Sequence, residues 1–196
     1  MLKDKLNQYN IILASGSPRR QQFFKEMEIP FTIQLKEIEE IYPDTLKAKE
    51  ITNYLAELKA NAFGNLKEND ILITSDTIVW HEEKALGKPK DYKDAFNMLQ
   101  SMSSKTHEVI TSVSFKTSNK TETIHEITKV TFKKLSDTEI SFYLDNYKPF
   151  DKAGSYGIQE WIGLIGISKI EGSYTNVVGL PVEKVYSKLL DYAKIY

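Results

Sequence analysis

The chain has 196 residues, 41% of them hydrophobic and 27% charged, with a formal net charge of −1 and no cysteine. This composition suits a globular chain with a sizeable core, and the near-neutral balance excludes a global basic field for nucleic acid or membranes. The lack of cysteine excludes disulfides, thiolate nucleophiles and cysteine-based zinc or iron–sulfur centres, and it fits a reducing cytoplasm.

No stretch approaches a membrane span or a signal-peptide core, and there are no repeats or linker-like runs. The expectation is one domain, 1–196, long enough to be bilobed. Ile11 to Ala14 is an apolar run that reads as a buried strand. Ser15-Gly16-Ser17 follows as a turn, and Pro18 opens a helical pattern reaching Glu28. Pro suits the first helical position and Ser17 can cap the helix. Pro30 to Leu35 reads as a strand, followed by the acidic Glu37-Ile38-Glu39-Glu40. From Thr45 to about Phe63 the apolar residues Ile51, Leu55, Leu58 and Ala62 recur at helical spacing. Lys59 lies beside that face.

Asp70 to Trp80 is apolar and β-branched. Ser75-Asp76-Thr77 interrupts it, which predicts a kinked strand or two strands meeting there. His81 to Leu86 looks like a hairpin. A helix is expected from Asp91, its cap, to Met102. Val109 to Phe115 alternates as a strand does, and Thr123 to Phe132 pairs with it across a turn at Asn119-Lys120. Ser136 and Glu139 match a capping box for a helix carrying Ile140, Tyr143, Leu144 and Tyr147. Asp151 to Gln159 is a glycine-containing loop block. Ile162 to Ile170 is expected to be a strand and Glu171 to Asn176 a loop. A last helix starts at Pro181, with Val182, Val185, Leu189 and Ala193 facing inward. The alternation predicts an α/β fold with some α+β character, a mixed sheet flanked by helices.

Several residue groups carry potential chemistry. The strand–turn–helix at Leu13 to Arg20 leaves backbone N–H groups at a helix start, where anions bind, and Arg19 and Arg20 add guanidinium forks. The same residues also suit an ordinary capped helix, and the Walker A spacing is absent. Asp76 sits within an apolar strand and needs a partner, because an unpaired buried charge is costly. A cation, a lysine or backbone N–H groups would each serve. Glu37, Glu39 and Glu40 offer the oxygen ligands that Mg²⁺ or Mn²⁺ prefers, or form a solvated acidic turn. Lys59, Lys88 and Lys152 lie near turns or helix edges and, with the arginines, would match a triphosphate. His81, His107 and His125 lack zinc-ligand spacing, and no serine lies in a nucleophile elbow.

Taken together, these segments resemble the Maf family of nucleoside triphosphate pyrophosphatases. The matching pieces are SGSPRR at Ser15 to Arg20, EIEE at Glu37 to Glu40, LKA at Leu58 to Ala60 and SDTIV at Ser75 to Val79. GKP at Gly87 to Pro89, HEVITSV at His107 to Val113, KAGSYGIQ at Lys152 to Gln159 and EGSYTNVVGLP at Glu171 to Pro181 complete the series. They come in family order over almost the whole chain.

The resemblance implies an elongated mixed sheet, two lobes with a cleft, and metal-dependent hydrolysis of a nucleoside triphosphate to the monophosphate and pyrophosphate. It implies the family's role of removing unwanted nucleotides, and within the family it points to the branch acting on dTTP and UTP. By it, Asp76 is the catalytic residue, as general base or as metal ligand beside Glu40, with Mg²⁺ or Mn²⁺ as cofactor. Ser15, Ser17, Arg20, Lys59, Lys88 and Lys152 bind phosphates, while Arg19, Thr77 and Gln159 select the base. A homodimer is a family expectation; nucleic acid and membrane are not expected partners. The alternatives are a nucleotide-binding regulator of septum formation without turnover, or a pyrophosphatase for modified purine nucleotides such as 7-methyl-GTP. Two positions depart from the family pattern. Ser112 and Glu160 stand where glycine is usual, and Glu160 bears on base preference because it follows Gln159.

Overall fold

Strand and helix signals in the sequence resolve into sixteen short elements in the computed structural model, which describes residues 1–194. In chain order these are α1 (Leu2–Lys5), β1 (Asn10–Leu13), α2 (Pro18–Glu26), β2 (Thr32–Ile33), α3 (Lys49–Asn61), β3 (Asp70–His81), β4 (Lys84–Leu86) and α4 (Tyr92–Met102). They continue with β5 (Thr106–Lys116), β6 (Thr121–Phe132), α5 (Asp137–Tyr147), a 3₁₀ turn at Ala153–Ser155, α6 (Trp161–Gly166), β7 (Ile167–Glu171), α7 (Tyr174–Val178) and α8 (Val182–Tyr192). Among the described residues the strands form one mixed sheet in the order β2-β1-β3-β5-β6-β7, with β4 paired to β3. The α/β class expected from the sequence is the one observed.

The chain divides into two compact units. The first comprises Met1–Asp76, Thr111–Glu126 and the segment from Gly179 onward; the second comprises Thr77–Ile110 and Ile127–Val178.

In the first unit β1 runs parallel to both β2 and β3, with Ile12 opposite Thr32 and Leu72, and Leu13 opposite Ile33 and Ile73. Alternate residues feed two cores. Leu13, Ile71 and Ile73 pack with Phe24, Val113, Phe115, Val185 and Leu189. Ile12 and Leu72 pack with Ala60 and Phe63. Burial on both faces explains why these strands read as unbroken apolar runs. Leu2 joins the first core from α1, a helix that the polar N-terminal composition concealed, and Leu6 joins it from the residue that ends that helix.

In the second unit β4 pairs antiparallel with β3, Val79 opposite Leu86, and β7 pairs antiparallel with β6, Val130 opposite Ile170. Helix α4 packs against α5, and α5 against α6. Both expected caps are formed. Asp91 accepts from Asp94 N at 2.8 Å, and the Ser136–Glu139 box has both its hydrogen bonds.

Four expectations need correction. Strand β3 runs through Ser75-Asp76-Thr77 as one strand, which removes the alternative of two strands meeting there. The charge of Asp76 is met by an ion pair, so the backbone has no need to turn it outward. Helix α3 begins at Lys49, because Pro43 to Leu46 forms a turn, with Leu46 N donating to Pro43 O at 3.0 Å. The run from Ile162 to Ile170 is not one strand. The Glu160 carbonyl accepts from Gly163 N (2.9 Å) and Leu164 N (3.2 Å), which starts α6, and the strand begins only at Ile167. A short apolar run cannot be assigned by periodicity alone. Lastly, Tyr174–Val178 is helical rather than a loop.

Candidate active site

Helix α2 starts as its sequence requires, with Pro18 in the first turn and Ser17 Oγ accepting from Arg20 N at 3.5 Å. The turn before it is held by Ser15, whose buried Oγ accepts from Ser17 N (3.3 Å) and from a terminal nitrogen of Arg20 (3.4 Å). Gln21 Nε2 donates to Ser15 O at 3.1 Å. Arg20 reaches further into the first unit. Its Nε donates to Gly179 O (2.8 Å) and a terminal nitrogen donates to Ser75 O (3.0 Å). The guanidinium is thereby fixed in place. Burial pulls its pKa down, an effect that the Asp76 and Glu40 carboxylates oppose and the neighbouring Arg19 reinforces.

Asp76 projects from β3, its side chain 8% exposed, and Lys59 Nζ donates to its Oδ1 at 2.6 Å. The same ammonium lies 3.0 Å from Glu40 Oε1, on the exposed acidic segment before α3. Helix α3 brings Lys59 there because polar anchors fix it on the sheet. Thr74 Oγ1 donates to Ala56 O (2.6 Å), one turn before Lys59. Thr52 Oγ1 and Ser112 Oγ are 2.6 Å apart, and Ser112 donates to Asn53 Oδ1 at 2.7 Å. Lys116 Nζ donates to Ala60 O and Phe63 O at the helix end. Ser112, one of the two departures from the family pattern, is thus a buried anchor of α3.

The first unit therefore brings together Ser15, Ser17, Arg20, Glu40, Lys59 and Asp76. Arg19 sits beside them on the first turn of α2, half-buried. Glu37 and Glu39 are exposed and make no ion pair among the described residues. Two carboxylates converge on one cation, the Lys59 ammonium. A hard divalent ion is held by one or two carboxylates when phosphates and waters fill its remaining positions. Asp76 and Glu40 fit that donor set. Among the described residues no group of three acidic or histidine side chains offers a closed protein cage.

The second unit holds the other predicted residues. Thr77 follows Asp76 along β3 and is half-buried. Lys88 is exposed on the segment after β4, with no ion pair among the described residues. The loop 152–160 is built around glycine. Gly154 has φ +66, donates to Gly87 O at 3.0 Å, and has no room for a Cβ against Val79. Lys152 Nζ lies between Asp151 Oδ1 (2.8 Å) and Glu160 Oε1 (3.0 Å). Glu160 Oε2 accepts from Tyr143 OH, which itself accepts from Gly157 N at 3.0 Å. Gln159 is exposed. Sequence reading singled out Lys152, Gln159 and Glu160 but placed Tyr143 only on an apolar helix face. Nothing in the spacing marks its hydroxyl.

His107 is buried, stacked on Phe132, with Nε2 at 2.8 Å from Tyr156 OH and Nδ1 without a partner among the described residues. Burial first, and His81 second, push its pKa down to about 3, so the ring is neutral at physiological pH. It is a core imidazole.

The family profile described as "Maf-like protein" matches residues 10–192. A protein of Flavobacterium psychrophilum named dTTP/UTP pyrophosphatase is 68% identical over 193 residues, 98% of this chain and 99% of its own. Proteins of the same name from Flavobacterium johnsoniae and Bacteroides fragilis are 67% and 47% identical, covering 96% and 94% of this chain and 98% and 96% of their own. Among solved structures, a HAM1 protein from Coxiella burnetii shares the fold, with a TM-score of 0.50 at 14% identity over 93% of this chain and 99% of that one. No helix among the described residues is long and apolar enough to cross a membrane.

Proposed function

Because the chain belongs to the Maf family, we propose that it is a nucleoside triphosphate pyrophosphatase that hydrolyses dTTP and UTP to the monophosphate and pyrophosphate. The observation that carries this reading is the convergence of Lys59 on Asp76 and Glu40 with Arg20 fixed beside them. That set joins a buried carboxylate to two held cations, which is what phosphate chemistry at a water nucleophile needs.

In this reaction water attacks the α-phosphorus in line. The new P–O bond forms as the α–β phosphoanhydride bond breaks, and pyrophosphate leaves. The Asp76 carboxylate accepts the proton of the attacking water as general base. Arg20 and Lys59 stabilise the charge that grows on the phosphate oxygens. They are pre-positioned, so no reorganisation is needed as that charge develops. Ser15 and Ser17 hold phosphate at the start of α2, and Lys88 adds an exposed cation. Lys152 completes the phosphate contacts, with a smaller effect because two carboxylates already meet its charge. Arg19, Thr77 and Gln159 read the base. A Gln amide offers both a donor and an acceptor to the O4/N3–H edge of a pyrimidine. A divalent cation, Mg²⁺ or Mn²⁺, held by Asp76 and Glu40 would neutralise phosphate charge and lower the pKa of bound water.

The test is release of pyrophosphate from a panel of nucleoside triphosphates with Mg²⁺ or Mn²⁺. Expected is turnover of dTTP and UTP well above purine nucleotides, with monophosphate and pyrophosphate in equal amounts. Release of orthophosphate, or binding without turnover, would refute it.

A further inference from the structure

Resting on the reading that Gln159 selects the base, we propose that Tyr143 and Glu160 are positioning residues that set base selectivity by clamping the loop 152–160. The loop's own contacts carry this. Gln159 is exposed, but the residues on either side of it are fixed. Ile158 is buried, and its carbonyl lies so close to Gly163 that a Cβ there would come within 2.0 Å of it. On the other side, Glu160 N donates to Gly157 O at 3.0 Å, and Glu160 O accepts from Gly163 N and Leu164 N. Backbone mobility at Gln159 is therefore limited from both directions.

The side chain of Glu160 closes the clamp. It folds back over Gly157, where a Cβ would meet its Cδ at 2.8 Å. One oxygen accepts from Tyr143 OH and the other faces Lys152 Nζ at 3.0 Å. The Tyr143 hydroxyl uses its acceptor capacity as well, on Gly157 N at 3.0 Å. One phenol thus ties the middle of the loop to its end, and Glu160 ties that end to its beginning. Tyr143 is fully buried on α5 and stacked on Tyr147, so the anchor belongs to a packed helix. Burial, and then the bond to Glu160, push the phenol pKa upward, so it remains a donor throughout the physiological range. A phenylalanine would fill the same core volume. The hydroxyl serves the loop.

The experiment compares kcat/KM for dTTP with that for dGTP in wild type, Gln159→Ala, Tyr143→Phe and the double variant. Gln159→Ala is expected to collapse the ratio. Tyr143→Phe, losing two hydrogen bonds that hold the loop, is expected to lower it about three- to tenfold. In the Gln159→Ala background the same change should have no further effect on the ratio. Should Tyr143→Phe fail to fold, the partly exposed Glu160 takes its place. Glu160→Ala should lower the ratio, and Glu160→Gln, which still accepts from Tyr143, should keep more of it. If Gln159→Ala collapses the ratio but Tyr143→Phe and Glu160→Ala leave it unchanged, base reading stands and the clamp is refuted. An additive effect in the double variant also refutes the clamp. If Gln159→Ala leaves the ratio unchanged, base reading by Gln159 is refuted and the clamp falls with it.

Discussion

Two lysines in this protein each lie between two carboxylates, one in each unit, and they serve different ends. Lys59 joins Asp76 on a buried strand to Glu40 on an exposed segment. Lys152 joins Asp151 and Glu160, the beginning and end of a single loop. The difference lies in what else the carboxylates meet. Among the described residues Asp76 has Lys59 as its hydrogen-bond donor, so the remaining acceptor capacity is open to water or a metal. Glu160 already accepts from a tyrosine and folds over a glycine. The same ion-pair pattern is a reactive arrangement where the carboxylate is under-supplied with protein donors. It is a structural one where they are already present.

This contrast is most exposed to failure at Asp76. Asp76→Asn keeps the shape and the Lys59 contact but removes the base, and kcat should fall about 10³- to 10⁴-fold with the thermal midpoint little changed. Near-normal pyrophosphate release by that variant would end the assignment. Lys59→Ala should follow, with a loss of about 10²- to 10³-fold shared by all substrates, because it removes a charge-stabilising cation and leaves two carboxylates facing each other. The two arginines of α2 sharpen the picture. Arg20→Ala should depress every substrate alike, by about 10²-fold, since it removes a fixed cation. Arg19→Ala should instead shift preference among nucleotides by about tenfold. Equal effects of the two on every substrate would mean that base and phosphate roles are not divided between them.

Lys152→Ala is the direct counterpart of Lys59→Ala. Its ammonium is paired within the loop, so the expected loss in kcat/KM is about two- to fivefold, the scale of a partly exposed ion pair. A loss as large as that of Lys59→Ala would break the comparison, because it would make Lys152 as strong a contributor to phosphate neutralisation as Lys59, despite its two carboxylate partners.

Local signals in the sequence carried most of the fold. The caps at Ser17, Asp91 and Ser136 are contacts within three residues, and each is formed as expected. The apolar runs of β1 and β3 reflect burial on both faces. What was illegible depended on distant contacts. Sequence alone left the partner of Asp76 open between a metal, a lysine and backbone. Lys59 lies 17 residues away on a helix whose register is set by Thr74, Ser112 and Lys116. The clamp at Tyr143 was hidden for the same reason, since an apolar helical face says nothing about where one hydroxyl points. Helix α6 was missed because six residues with two glycines carry no usable period.

The units differ also in how acid should reach them, and here the expected effect at neutral pH is smallest. His107 of the second unit is buried among Phe132, Tyr156 and His81, and its pKa is pushed down to about 3 from the usual 6.5. The unfolded chain therefore binds a proton that the folded chain refuses. The contribution of His107 to stability is complete above pH 6.5 and is lost as pH falls towards 3, with a limiting slope of about 1.4 kcal/mol per pH unit. Urea unfolding between pH 7 and pH 4 should show this slope, and His107→Gln, which cannot take up the proton, should flatten it. Glu122 of the first unit works in the same direction, since Lys120 and Lys188 hold its carboxyl down to about 2. That pair is largely solvated, so screening keeps its share small and confines it below the ordinary glutamate pKa. The two are separable by range. The part of a slope beginning near pH 6.5 that His107→Gln removes belongs to that imidazole, and the remainder in that range belongs to His125, whose pKa burial also lowers. A slope that appears only below pH 4.5 and survives His107→Gln belongs to the carboxylate.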